Sequence, residues 1–203
     1  PTADLTRHHR GHERVSDEAD FSEVRAGASV TVDKLVGIAT GRDPGSDAEP
    51  AARAEATVLA APGFDEAKAE SVRRWQQLWA DADCEIVGDD KAAHAVRFSI
   101  YHLLIAANPD DPTVNIGAKS LSGEGYRGHV FWDTEIMMLP FFLFTQPHTA
   151  RSLLGYRYHT LGGARELARE NGIRGAQYPW ESADTGREEC PRFTPDGQNR
   201  FYT

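Results

Sequence analysis

The sequence predicts a mainly α-helical protein in which a short β-rich opening precedes long helices stacked in an α/α layered array. Three observations carry that expectation. Apolar residues recur at helical spacing from Phe64 onward. β-branched residues cluster ahead of them, at Val30, Val32, Val36 and Ile38. The connection from Asn108 to His129 is long and Gly-rich, whereas helices in a simple bundle are joined by about 2–8 residues.

The elements follow in order. Residues 1–20 are polar and rich in His and Arg, and nothing in them dictates a structure. Arg7-His8-His9-Arg10 with His12 could form a weak metal or anion site, but an exposed loop or strand edge is the plainer reading. Residues 28–40, with Gly37 and Gly41 as punctuation, read as one or two strands. Residues 43–62 begin with Pro, Gly and Asp, turn Ala-rich, and read as a connector. A helix carrying Phe64, Val72, Trp75, Leu78 and Trp79 follows, with Asp65 and Glu66 where the helix dipole favours acids. Trp75 and Trp79 share one face, so core packing is expected of both. The next stripe is Ala93, Val96, Ile100, Leu103, Leu104 and Ala107. Residues 134–144 read as a third helix, apolar almost all round and therefore buried. A fourth runs from Pro147 to Asn171-Gly172 as one long element.

Composition narrows the function classes. The chain of 203 residues is 40% hydrophobic and 26% charged, with a formal charge of −9 and no basic stripe, which argues against nucleic acid as a partner. No stretch approaches the roughly 20 apolar residues that cross a bilayer, and no secretory signal pattern opens the chain, so no membrane partner is expected. Cys84 and Cys190 match no metal-ligand spacing and read as free thiols of a reducing cytoplasm.

Two loop-to-helix segments concentrate aromatic, carboxylate and Gly residues. One contains Gly123, Gly125, Arg127, Gly128, His129, Trp132, Asp133 and Glu135; the other contains Trp180-Glu181-Ser182 and Gly186-Arg187-Glu188-Glu189. A pyranose presents hydroxyls at its rim and C–H patches on its faces. An indole covers the face, and a carboxylate accepts the hydroxyls. Trp132-Asp133 and Trp180-Glu181 are such pairs. Each alone has a bland explanation, since Trp is usually core and Asp a common N-cap. His129 alone is more often structural than catalytic. The Gly-rich loop lacks the Gly-Lys-Ser/Thr of a phosphate loop, because Lys119-Ser120 follows Ala118. No metal pattern is present.

The run Gly123-Glu124-Gly125-Tyr126-Arg127-Gly128-His129-Val130-Phe131-Trp132-Asp133-Thr134-Glu135 strongly resembles glycoside hydrolase family 65, the maltose, trehalose and kojibiose phosphorylases. The resemblance continues through Ala150-Arg151-Ser152-Leu153-Leu154, Tyr156-Arg157-Tyr158, Gly162-Gly163-Ala164-Arg165 and Gly175-Ala176-Gln177-Tyr178-Pro179-Trp180-Glu181-Ser182. It covers most of the chain but leaves residues 1–20 and 45–60 unplaced. It implies the end of an N-terminal β-sandwich at 1–45, a connector and helical linker at 46–90, and at 91–203 the first part of a six-hairpin α/α toroid. It also implies that Trp132, Asp133, Trp180 and Glu181 bind the sugar, with Arg127 and His129 beside them.

The implied reaction is inverting phosphorolysis of an α-glucosyl disaccharide to β-glucose 1-phosphate and glucose. Inorganic phosphate is co-substrate, no cofactor or metal is needed, and the complete enzyme would be a cytoplasmic homodimer. The family's general-acid Glu and phosphate ligands belong to later motifs, so no catalytic residue is assigned, and neither Glu135 nor Glu181 substitutes. The chain begins at Pro1 without Met and stops at Thr203 with no sign of a domain finishing, which reads as an inactive fragment of a larger enzyme. An inverting hydrolase on the same fold, using water with a base carboxylate, and a non-catalytic carbohydrate-binding protein are the alternatives.

Overall fold

The computed structural model describes residues 3–10, 14–21, 24–42, 49–120, 122–123 and 125–190. His12, Leu121, Glu124 and the end from Arg200 to Thr203 lie outside them, as do the side chains of Arg7, His8, His9 and Arg10. The protein is mainly helical and divides into two compact units, Pro1–Ser71 and Val72–Thr203.

In the first unit, β1 (Ala3–Arg10) and β2 (Arg14–Phe21) form an antiparallel ladder from Ala3↔Phe21 to Arg10↔Arg14. Strand structure is therefore found where no structure was dictated, and not where it was expected. Residues 28–40 form no strand; Val32, Val36 and Ile38 stand 61%, 67% and 83% exposed. The backbone here packs on a helix instead. A Cβ on Gly37 would overlap the Ala54 carbonyl oxygen, and the Thr40 carbonyl accepts a hydrogen bond from the Arg53 guanidinium. That helix, α1 (Pro50–Leu59), occupies much of the expected connector, whose residues 43–48 lie outside the described ones. Pro50 in its first turn and a run of Ala, the strongest helix former, explain why it forms.

The helix α2 (Phe64–Ala82) extends across the boundary between the units. In the second unit, Asp89 caps α3 (Asp90–Ala106) by accepting from the Ala92 amide at 2.9 Å. Trp75, Leu78, Trp79 and Val96 pack on buried Ala82, Ile100 and Leu104, as their spacing anticipates. A second cluster joins Ile116, Leu139, Phe142, Ala150 and Leu153. Burial of Phe142 and Leu153, 0% and 1% exposed, contributes about 1.5–3 kcal/mol each.

Two expected helices are each divided. Residues 134–144 begin as a π-turn over Thr134–Met138, in which the Leu139 amide bonds the Thr134 carbonyl, and continue as α4 (Leu139–Thr145). The widened turn sits just before Pro140, whose ring would crowd the Ile136 carbonyl of an unbroken helix. This segment is not buried all round. Thr134, Leu139 and Phe142 are buried, whereas Ile136, Met137 and Phe144 are exposed.

The long helix expected over 147–171 breaks at Thr160 into α5 (Pro147–His159) and α6 (Leu161–Glu170). The Thr160 hydroxyl donates back to the Tyr156 carbonyl at 2.9 Å. The break lets the loop at 185–186 close on the helix: a Cβ on Gly163 would stand 2.6 Å from Gly186 and Thr185 backbone atoms. Gly186 itself has φ +69°, a left-handed conformation natural to glycine.

Candidate functional site

A short ladder brings together segments that are remote in sequence. β3 (Val130–Phe131) pairs antiparallel with β4 (Glu181–Ser182), with Phe131 opposite Glu181. Trp132 and Trp180 therefore project from neighbouring strand ends. Their ring centroids lie 5.8 Å apart at an interplanar angle of 56°. The Trp132 indole N–H donates to the Pro179 carbonyl at 2.8 Å, and the Trp180 ring meets Phe131 edge-on. Both Trp residues stay partly exposed, 36% and 43%, which leaves ring surface available to a ligand.

The rings border a cavity of about 410 Å³, whose other lining residues are Glu135, Ile136, Arg157, Gln177 and Tyr178. Its polar side is an ion pair: Arg157 Nη2 lies 2.8 Å from Glu135 Oε2. The other Glu135 oxygen accepts from Asn115 Nδ2 at 2.9 Å. Arg157 also donates to the Phe131 carbonyl and to Ser182 Oγ. The Tyr178 hydroxyl donates to the Arg157 carbonyl at 3.0 Å.

Behind this layer the Tyr156 hydroxyl donates to the Ala183 carbonyl at 2.6 Å, which leaves Ser182 Oγ as the donor in their 2.8 Å contact. Burial pushes the Tyr156 hydroxyl above the usual tyrosine range, against the opposing pull of its bond with Ser182.

The six residues singled out in the sequence fall into two groups. Trp132, Trp180, His129 and Glu181 converge. His129 Nδ1 lies 2.7 Å from Glu181 Oε1, while Cys190 Sγ approaches the other oxygen at 3.4 Å. Glu188 accepts from the Trp180 and Glu181 amides, at 2.8 and 3.1 Å, and so fixes the second Trp-carboxylate pair from behind. Glu181 is thus engaged beside the cavity and is not among its lining residues.

Asp133 and Arg127 stand apart. Asp133 is exposed, makes no side-chain cap to the π-turn and does not line the cavity. Arg127 is exposed in a left-handed turn with φ +51°. The charged residues that do line the cavity, Glu135 and Arg157, are visible in the sequence only as a helix-start acid and as part of a resembling run. Opposite charges at distant positions carried no signal that they meet. Among the described residues no group of three His, Cys, Asp or Glu side chains could hold a metal ion, and no helix is long and apolar enough to cross a membrane.

A helical domain with two indoles and an ion pair around one cleft is chemically suited to a ligand with both an apolar face and hydrogen-bonding edges. Residues 97–202 match the glycosyl hydrolase family 65 central catalytic domain, and residues 3–78 match the N-terminal domain of the same family. The chain belongs to glycosyl hydrolase family 65.

It is 50% identical over 166 residues to a kojibiose phosphorylase of Caldanaerobacter subterraneus subsp. tengcongensis, covering 81% of this chain and 22% of that protein. It is 38% identical over 181 residues to an α,α-trehalose phosphorylase of Thermoanaerobacter brockii, covering 89% of this chain and 23% of the relative. A solved structure of a candidate kojibiose phosphorylase from human microbiome superposes with a TM-score of 0.63 at 30% identity, over 70% of this chain and 20% of that one. The chain thus spans roughly a fifth of the length of these relatives.

Proposed function

We propose that the protein takes part in inverting phosphorolysis of an α-glucosyl disaccharide, yielding β-glucose 1-phosphate and a second sugar. The observation that carries the reading is the convergence of Trp132 and Trp180 on one cavity in a chain that is 50% identical over 166 residues to a kojibiose phosphorylase. In this proposal the two indoles stack on glucose faces. Asp133, beside Trp132 in the chain, and Glu181, oriented by His129, accept sugar hydroxyls, with Arg127 as a further sugar-binding residue.

A phosphate oxygen attacks the anomeric carbon, the glycosidic C–O bond breaks on the opposite face, and a general acid protonates the departing oxygen. Phosphate is already anionic at neutral pH, so no base is required, unlike an inverting hydrolase. No residue of this chain is given the acid or phosphate-binding role.

The reading also includes residues 1–45 as the end of a β-sandwich, 46–90 as a linker and 91–203 as the start of a six-hairpin toroid. It includes a cytoplasmic homodimer needing no cofactor beyond phosphate. Incubation of the complete enzyme, which in this reading also supplies the general acid and phosphate ligands, with kojibiose, nigerose, trehalose and maltose, with and without phosphate, tests the reaction. Phosphate-dependent β-glucose 1-phosphate is expected. Equal glucose release without phosphate identifies a hydrolase, and no turnover of any of the four refutes the reading.

A further inference from the structure

We infer that Arg157 is a positioning residue: from α5 it locks the β3 and β4 segments together and so sets the spacing and tilt of Trp132 and Trp180. The need for such a lock is physical. The ladder between the two segments is only two residue pairs long, and so short a pairing is marginal unless something else holds it.

Arg157 supplies what the ladder lacks. Its guanidinium, on a residue only 9% exposed, donates to the Phe131 carbonyl at 3.1 Å in β3 and to Ser182 Oγ at 3.3 Å in β4. It also pairs with Glu135 at 2.8 Å in the π-turn that follows Trp132. Three acceptors from three segments meet one planar group, a task that suits the rigid fork of Arg and not the point charge of Lys. Glu135 neutralises the buried cation and is itself held by Asn115. The Tyr156 and Tyr178 rings flank the guanidinium at 5.3 and 5.9 Å. The guanidinium is held on several sides, so its position is transmitted to both indoles.

The consequence for turnover rests on the proposed function; the geometry does not, and the experiment separates the two. In a Trp75→Phe/Trp79→Phe background the Trp132–Trp180 pair is the remaining source of indole exciton coupling, since the chain has four Trp. Its circular dichroism couplet reports ring spacing and tilt. Arg157→Lys is expected to lose most of the couplet while still unfolding cooperatively, and Glu135→Gln to lose part of it. A residue that contributed only stability would lower the unfolding midpoint and leave the couplet of the folded protein intact.

If Arg157→Lys fails to fold, the Glu135→Gln result decides alone. A wild-type couplet in the folded variants overturns the inference. Where phosphorolysis is measurable, Arg157→Lys should raise KM for the disaccharide about tenfold and change kcat less. No phosphorolysis by the wild-type complete enzyme, with the couplet lost in the variants, refutes the proposed function and leaves the positioning role standing.

Discussion

Two tryptophan pairs in one unit stand in different surroundings. Trp75 and Trp79 lie on a single helix face, with ring centroids 6.3 Å apart. Trp75 stacks on Tyr101 at 5.1 Å, and Leu78 and Val96 complete the layer over Ile100 and Leu104. Trp132 and Trp180 are slightly closer at 5.8 Å, yet they come from separate segments and stand over a cavity with an ion pair on its polar side. The first pair follows from local helix geometry. The second exists only because the chain returns after α5 and α6. Ring proximity alone therefore does not distinguish packing from a site; the company of buried polar groups and open ring surface does.

The largest effect that would sharpen the contrast comes from the ion pair. Arg157→Ala leaves Glu135 without its cation in a side-chain environment only 21% exposed, so a destabilisation of about 3 kcal/mol is expected. Urea denaturation of this variant and of Arg157→Ala/Glu135→Gln checks it, because neutralising the stranded carboxylate should recover part of the loss.

Gly163→Ala comes next. Its new methyl would meet backbone atoms of Thr185 and Gly186, which cannot rotate away, at a cost of about 1–3 kcal/mol. Thermal unfolding should show the loss, and an unchanged midpoint would mean that the 185–186 loop does not rest on α6.

These two sites also mark what the sequence could and could not disclose. The stripes of α2 and α3 and the Trp75–Trp79 face were legible because each is a local repeat. The convergence of Trp132 and Trp180 was an expectation drawn from resemblance, and the coordinates supply its geometry. Glu135–Arg157 was not legible, since a charge 22 positions from its partner leaves no periodic trace. The division of residues 134–144 between Met138 and Leu139 and of 147–171 at Thr160 escapes the sequence for a related reason. Hydrophobic spacing survives a π-turn or a one-residue break, so periodicity reads across both. Residues 28–40 failed in the opposite direction, where β-branched content suggested strands but the backbone found its partners on α1.

Alkaline pH probes the layer behind the cavity. Burial raises the Tyr156 hydroxyl above its unfolded value. Below about pH 10 both states keep the proton and the contribution is fully present; above it the unfolded chain ionises first, so stability falls by at most about 1.4 kcal/mol per pH unit. Tyr156→Phe should remove that component of the slope in denaturation measured from pH 9 to 11.

The smallest effect belongs to the packing pair. Arg97 lies 4.8 Å from the Trp79 ring and pairs with Asp83, but its side chain is 52% exposed. Arg97→Ala should therefore cost only about 0.5–1 kcal/mol and leave the Trp132–Trp180 couplet unchanged.

The division of labour between the pairs has one direct test, a fluorescence titration with kojibiose on two complementary variants. The Trp75→Phe/Trp79→Phe protein should show a saturable emission change, because the pair over the cavity remains. The Trp132→Ala/Trp180→Ala protein should show none while retaining its helical circular dichroism. A saturable change in the second variant, or its absence in the first with the fold intact, would contradict the assignment of the sugar site to Trp132 and Trp180.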